Sequence, residues 1–308
     1  MSAKRFFPTL PGQPFFEGKR AFIQLLYLCL MTIGFAIVIS LLGLLVANAI
    51  YGADAIENPT AGYYRWIQAF NTIGTFLLPA LLFAFCHDRH WFSYNNADHI
   101  SGNPTAIACV LLMSVALLAP IGLLVELNKM IQLPDCMSGI ENWMHETQQS
   151  SDRVLELLTS EHTIGTLVLN VIVCALLPAV GEEFFFRGSL QQLFRSWFGN
   201  KHLAIWVTSF IFSAIHLQFD GFFARWLLGA YLGYLFVWSG SLWLPVLAHF
   251  LHNSISIVAQ YIFDVAGIEQ ETSLNSMTIS SALASALVCG VILLFIHKTY
   301  HKQNQISD

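Results

Sequence analysis

Apolar stretches of roughly 20 residues alternate with short polar segments along almost the whole chain. Eight such stretches stand out, and they lie near residues 21–50, 66–86, 105–128, 163–186, 202–218, 223–239, 243–263 and 277–297. A helix of about 20 apolar residues crosses the hydrocarbon core of a bilayer. The pattern therefore predicts an all-α fold, a polytopic integral membrane protein with about eight transmembrane helices in one bundle.

The composition supports a membrane location. Of the 308 residues, 56% are hydrophobic and only 11% are charged, whereas an average soluble domain carries about 25% charged residues. A chain with so few charges has little need for a water-facing surface, so the lipid bilayer is its expected environment. The Lys and Arg residues form no basic patch, and we therefore expect no nucleic-acid partner.

The distribution of charge among the loops predicts how the bundle is oriented. Basic residues concentrate on the side that holds both termini, and the opposite side carries most acidic residues, including those of a loop at 129–162. Because cytoplasmic loops are enriched in Lys and Arg, both termini are predicted to be cytoplasmic. We divide the chain into a basic and aromatic cytoplasmic arm, N-terminal membrane helices with the acidic outside loop, a helical core, and a last transmembrane helix with its cytoplasmic tail, at residues 1–20, 21–162, 163–263 and 264–308.

The segment "PAVGEEFFFRGSL" places Glu182, Glu183 and Arg187 at the end of an apolar stretch. A charge at the centre of a bilayer costs about 2.5–3.5 kcal/mol, so these residues need partners. Residues four apart share one face of a helix, and Glu183 can therefore pair with Arg187. Glu182 is rotated by about 100° from Glu183 and is left without that partner. One alternative is a structural anchor in which these residues face lipid headgroups at the membrane surface.

Two further apolar stretches carry polar residues that need an explanation. "SFIFSAIHL" contains Phe212 and His216, and "LWLPVLAHFLHNS" contains His249, His252 and Asn253. His249 and Asn253 are four residues apart and share a face, whereas His252 lies beside that face and has no assigned role. Since ionisable groups inside a bundle face its interior, we predict one polar cavity shared by three helices.

The depth of Glu182 places a condition on this cavity. With a fourth span that ends at residue 186, Glu182 lies near the cytoplasmic end of its helix, while His216 lies about 20 Å into the fifth span. The two side chains meet only if helices tilt or boundaries shift. We therefore expect the fourth helix to continue toward residue 195.

The side chains of such a cavity suit hydrolysis of a peptide bond. Glu182 can act as the general base toward a water molecule that His216 holds, while His249 and Asn253 can donate hydrogen bonds to the oxyanion. Zinc is the competing cofactor, with Glu182, His216 and His249 as three ligands and an open fourth position. The sequence contains no HExxH or GxSxG motif, and it leaves the metal-free and zinc-dependent mechanisms open.

Three motifs in chain order resemble the signature of the CPBP intramembrane proteases. They are Glu182-Glu183-x-x-x-Arg187, Phe212-x-x-x-His216 and His249-x-x-x-Asn253. The family is also called Abi, and it includes the type II CAAX prenyl endopeptidases. The resemblance covers about residues 178–253 and implies an eight-helix fold and proteolysis of membrane-associated peptides or proteins.

The resemblance also implies a role for each motif residue. It implies Glu182 and His216 as the pair that activates water, and His249 and Asn253 as the oxyanion site. The remaining motif residues would have supporting roles, and these are Glu183, Arg187 and Phe212. The family's early label was metalloprotease, and the later view, which we favour, is a metal-free glutamate mechanism with no cofactor rather than one with zinc.

Two other classes of function compete with proteolysis. The first is a non-enzymatic membrane scaffold or bacteriocin-immunity protein that keeps the motifs for binding. The second is a proton-coupled transporter that uses the same carboxylate and histidines, although the sequence shows no duplicated or inverted halves. Nothing in the sequence indicates a prenylated substrate, and the partner that we expect is a membrane-associated peptide or protein.

Overall fold

The computed structural model describes residues 15–88, 90–100, 103–131, 133–268 and 279–307. Every regular element within these residues is a helix. The principal helices are α1 (Ala21–Tyr51), α2 (Ala61–His87), α3 (Pro104–Ala116), α4 (Leu118–Lys129), α5 (Ser138–Thr159), α6 (Ile164–Phe198), α7 (Lys201–Ala214), α8 (Phe222–Ser239), α9 (Trp243–Ala266) and α10 (Ile279–Ser307). Single helical turns lie in the connections, at Ala53–Ile56, Trp91–Tyr94, Asp135–Met137 and Phe219–Gly221.

The predicted apolar stretches coincide with helices, which confirms the all-helical, multi-pass expectation for the described residues. Five of these helices are long and apolar enough to cross a membrane, namely α1, α2, α6, α9 and α10. Helices α3 and α4 together would make a sixth span, but the two helices are bent by 41° where they meet. Helix α7 has only 14 residues, and α8 has 18 with Arg225 near its start. The number of eight spans is therefore not confirmed.

The fourth predicted span ends later than residue 186, because α6 continues to Phe198. The hydropathy falls at Arg187, Ser189 and Gln191, yet all three side chains are buried. Arg187 and Gln191 donate hydrogen bonds to backbone carbonyls of α8. Because these polar groups are satisfied inside the protein, the helix does not need to end where the apolar run ends. The expected continuation toward residue 195 is confirmed.

Helices α2 and α6 each contain a wide, π-type turn shortly before a proline. The turns span Ile73–Leu77 ahead of Pro79 and Val171–Leu176 ahead of Pro178. Proline has no N–H group, and its ring collides with the carbonyl of the preceding turn. An extra residue in that turn allows the helix to continue. Helices α2 and α6 also approach each other closely, since a Cβ atom at Gly181 would lie 3.2 Å from a side-chain atom of α2.

Two large clusters of buried apolar side chains hold the bundle together. One joins α3, α8, α9 and α10 and includes Leu232 and Ile296. The other joins α1, α2, α6 and α7 and includes Phe186 and Phe212. Such contacts stabilise membrane helices through close packing rather than through exclusion of water. A smaller cluster that includes Phe184, Phe236 and Val246 joins α6 to α8 and α9, so the helices α6 to α9 meet in a packed interior.

Candidate active site

The length of α6 brings Glu182 and His216 to a similar depth. Glu182 lies 16 residues before Phe198, the last residue of α6, which corresponds to about 24 Å along the helix. Helix α7 begins only three residues after Phe198, at Lys201. His216 lies 15 residues after Lys201 and two residues beyond the end of α7, about 22 Å from its start. The two residues therefore lie at a similar depth, and Nε2 of His216 is 4.0 Å from Oε2 of Glu182.

A buried hydrogen-bond network is centred on Glu183. Its Oε1 atom accepts hydrogen bonds from Nη1 of Arg187 and from Nδ1 of His249, both at 2.8 Å. Nη2 of Arg187 donates to the backbone carbonyl of Gly229 at 2.8 Å. Neither Glu183 nor Arg187 has any exposed surface. The ion pair expected from the four-residue spacing is present, and the network also ties α6 to α8 and α9.

The rings of His216 and His249 are both held through Nδ1. Nδ1 of His216 lies 2.6 Å from the carbonyl oxygen of Phe212, and Nδ1 of His249 faces the carboxylate of Glu183. Since a carbonyl and a carboxylate only accept hydrogen bonds, Nδ1 carries the proton in each ring. The two Nε2 atoms remain for other partners. They lie 4.0 Å (His216) and 3.8 Å (His249) from Oε2 of Glu182.

These groups line one cavity of about 470 Å³. Glu182 is only 7% exposed, and its Oε2 atom has no hydrogen-bond partner among the described residues. The separations of 3.8 and 4.0 Å are too long for direct hydrogen bonds, and one water molecule can bridge groups at such separations. The structure thus brings the four predicted catalytic side chains and Phe212 to one cavity, and its lining includes Glu182, Phe212, His216, His249 and Asn253.

The formal charges around the cavity balance. Glu182 and Glu183 contribute two negative charges, while Arg187 and Arg225 contribute two positive charges, and Arg225 lines the same cavity as Glu182. The net charge is therefore zero when the histidines are neutral. An unbalanced charge inside a membrane protein is costly, and two carboxylates with two guanidinium groups avoid that cost.

The arrangement does not match a zinc site. Two ligands of one tetrahedral zinc ion lie about 3.3 Å apart, given bond lengths of about 2.0–2.1 Å. The distances from Oε2 of Glu182 to Nε2 of His216 and His249 are 4.0 and 3.8 Å, which is wider. Within the part of the chain that the structure describes, no group of three His, Cys, Asp or Glu residues is arranged to hold a metal ion.

Two polar residues of the turn and helix that follow His216 were not singled out from the sequence. Arg225, near the start of α8, and Gln218, in the turn before α8, both line the cavity. A charged residue within an apolar stretch was the signal that drew attention to Arg187, and the same signal applies to Arg225. Between His216 and Gln218, Leu217 has a φ angle of 54°. This left-handed conformation is strained for a bulky residue, and it turns the chain between the two cavity residues.

The chain is similar to a curated protein, "Uncharacterized protein YpbD" of Bacillus subtilis (strain 168). The two are 32% identical over 93 residues, which amounts to 28% of this chain and 43% of the relative. The chain therefore spans less than half of the length of the curated relative that it matches. No solved structure matches the chain.

A family model matches residues 164–255. Its description is "Type II CAAX prenyl endopeptidase Rce1-like". The matched range runs from the start of α6 into α9 and contains all three motifs, so it includes the four predicted catalytic residues. Residues 164–255 therefore match the family that the motifs predicted, the Rce1-like type II CAAX prenyl endopeptidases.

Proposed function

We propose that this protein is an intramembrane endopeptidase that hydrolyses a peptide bond of a membrane-associated peptide or protein. One observation carries the proposal. The carboxylate of Glu182 and the Nε2 atoms of His216 and His249 face each other across a cavity that Asn253 also lines. A family-level match to membrane endopeptidases over the same helices supports it.

Glu182 and His216 are the proposed water-activating pair. A water molecule between Oε2 of Glu182 and Nε2 of His216, which lie 4.0 Å apart, can donate one hydrogen bond to each. This leaves an oxygen lone pair of the water free to attack a carbonyl carbon. Glu182 takes the proton as the C–O bond forms, which is general-base catalysis. The carbonyl of Phe212 supports the step because it fixes the His216 ring with Nε2 toward the cavity.

His249 and Asn253 are the proposed donors to the oxyanion. Nδ1 of His249 already donates to Glu183, so His249 can donate from Nε2 only as an imidazolium. The adjacent carboxylate of Glu183 stabilises that charged form. The side-chain amide of Asn253, one helical turn later, supplies a second donor. Donors fixed in a buried cavity stabilise the negative charge that develops on the carbonyl oxygen.

The reaction is completed by collapse of the tetrahedral intermediate. The C–N bond breaks, and protonated Glu182 returns its proton to the leaving amine nitrogen, so that a carboxylic acid and an amine are formed from one water molecule. Glu183 and Arg187 do not contact the substrate in this scheme. They hold His249 in place and keep the buried charges paired.

A cleavage assay on the purified full chain tests the proposal. The protein is reconstituted in lipid and incubated with a library of apolar peptides, with and without a zinc chelator, and the products are identified by mass spectrometry. We expect cleavage that persists in chelator and is absent from the Glu182→Gln variant. Cleavage that the chelator abolishes would contradict the metal-free mechanism. Binding of peptides without cleavage would favour the scaffold or immunity function, and solute flux that depends on Glu182 would favour transport.

A further inference from the structure

Arg225 is fixed on the wall of the cavity by the turn that precedes α8. Its Nη2 atom donates to Oε1 of Gln218 at 2.8 Å, and its Nη1 atom donates to the backbone carbonyl of the same residue at 3.2 Å. Gly221 leaves space for the guanidinium, since a Cβ atom there would lie 3.2 Å from Nη2 of Arg225. The turn thus holds the guanidinium at one position beside the cavity.

Most of the hydrogen-bonding capacity of Arg225 remains available. A guanidinium has five N–H donors, and Gln218 accepts from two of them. Among the described residues, no Asp or Glu forms an ion pair with Arg225. It lines the same cavity as Glu182 and His216, but it is not bonded to Glu182. Arg225 therefore has a role other than neutralising Glu182 by direct contact.

His252 lines the same cavity, and one of its ring nitrogens lacks a partner within the described part of the chain. Its Nδ1 atom is buried and has no hydrogen-bond partner in the described residues. Arg225 and His252 both line this cavity. A cation with free N–H donors, in one cavity with an imidazole whose Nδ1–H is free to donate, suits a carboxylate.

We propose that Arg225 and His252 form a subsite that binds a carboxylate of the substrate and so positions the scissile bond over Glu182. The inference rests on the proposed peptidase function and names the chemistry that its substrate presents. The carboxylate belongs either to the C-terminus of the peptide or to an acidic side chain.

A binding measurement that needs no cleavage tests this subsite. The full-length Glu182→Gln protein in lipid nanodiscs is titrated with three short peptides of alanine, valine and leucine that carry an N-terminal fluorophore. The first ends in a free carboxylate, the second in an amide, and the third in an amide with one internal glutamate. We expect at least one carboxylate peptide to bind about tenfold more tightly than the neutral amide peptide. The peptide that gains affinity identifies the source of the carboxylate.

Variants then test whether Arg225 and His252 cause the preference for carboxylate peptides over the amide peptide. Arg225→Gln in the same background should bind all three peptides with the affinity of the amide peptide, and the unchanged amide affinity shows that the protein is folded. Arg225→Lys keeps the charge but loses the planar set of N–H donors, so it should retain part of the preference for a carboxylate. His252→Ala should reduce it. Arg195→Gln, an exposed site outside the cavity, should leave it unchanged.

Equal affinity for the three peptides, or a preference that survives Arg225→Gln, would overturn the inference. The result is separable from that of the proposed function. Cleavage by the parent protein with equal affinities would retain the peptidase and remove the subsite. A carboxylate preference that depends on Arg225, without cleavage by the parent protein, would retain the subsite and remove the peptidase.

Discussion

Nδ1 of His249 in α9 lies 2.8 Å from Oε1 of Glu183 in α6. This contact fixes the ring so that Nε2 of His249 faces Glu182 at 3.8 Å. The same Oε1 atom accepts a hydrogen bond from Arg187. Glu183 therefore holds the ring of His249 in place, while Glu182 faces the cavity. Adjacent residues of one helix thus have different roles because their side chains point about 100° apart.

Loss of Arg187 should destabilise the fold strongly. Arg187→Ala leaves the carboxylate of Glu183 buried without its cation, and we expect the free energy of unfolding to fall by about 3–5 kcal/mol. The double variant Glu183→Gln/Arg187→Gln carries no buried charge at this pair and should be destabilised less than Arg187→Ala. Thermal unfolding in detergent measures both effects. Arg153→Ala on exposed α5 is the control, and a double variant less stable than Arg187→Ala would contradict the account.

Gly229 should tolerate no side chain. A Cβ atom there would lie 3.0 Å from Cβ of Ser209 and 3.2 Å from Cδ1 of Phe212, so Gly229→Ala pushes α7 and α8 apart. We expect a loss of about 1–3 kcal/mol in the free energy of unfolding, together with slower peptide cleavage because Phe212 holds His216.

Gly290 in α10 offers a matched control for this substitution. No heavy atom lies within 4 Å of a Cβ atom added there, so Gly290→Ala adds a better helix former without a clash. It should raise the free energy of unfolding by about 0.5–1 kcal/mol and leave cleavage unchanged. If Gly229→Ala behaves like Gly290→Ala, the close packing of α7 on α8 is not required.

Replacement of Asn253 should slow the chemical step. Asn253→Ala removes one proposed oxyanion donor, and we expect kcat to fall by about 10²–10³ with little change in KM. Asn253→Asp removes the same donor and adds a negative charge, so its kcat should be lower still. Steady-state cleavage kinetics measure both, with Gln260→Ala two turns later on α9 as the control. An Asp variant more active than the Ala variant would speak against an oxyanion role.

Local spacing was sufficient to predict part of the site. The pairing of Glu183 with Arg187 follows from their four-residue separation, and the structure contains that hydrogen bond. The meeting of α6, α7 and α9 at one cavity follows from the cost of leaving Glu182, His216 and His249 in lipid. Neither argument gives the contact between Glu183 and His249, because that contact depends on how α9 packs against α6.

Hydropathy alone could not locate the end of α6 or the number of spans. A polar residue lowers the hydropathy whether it faces water or a carbonyl inside the bundle, so Gln191, which bonds to Gly233 of α8, looks like a helix end. The same ambiguity concealed Arg225. It lies near the start of a short span, where a charge commonly faces water, and only the path of the turn at Gln218 directs it into the cavity.

The most direct test of the central claim is the kcat of Glu182→Gln on a cleaved peptide. A glutamine side chain has nearly the same shape as glutamate but cannot take a proton from water, so kcat should fall by about 10²–10⁴ while the thermal unfolding temperature is retained. Glu126→Gln, at an exposed site paired with Lys129, should keep full activity. A folded Glu182→Gln protein whose kcat remains within about tenfold of the parent protein would contradict the account.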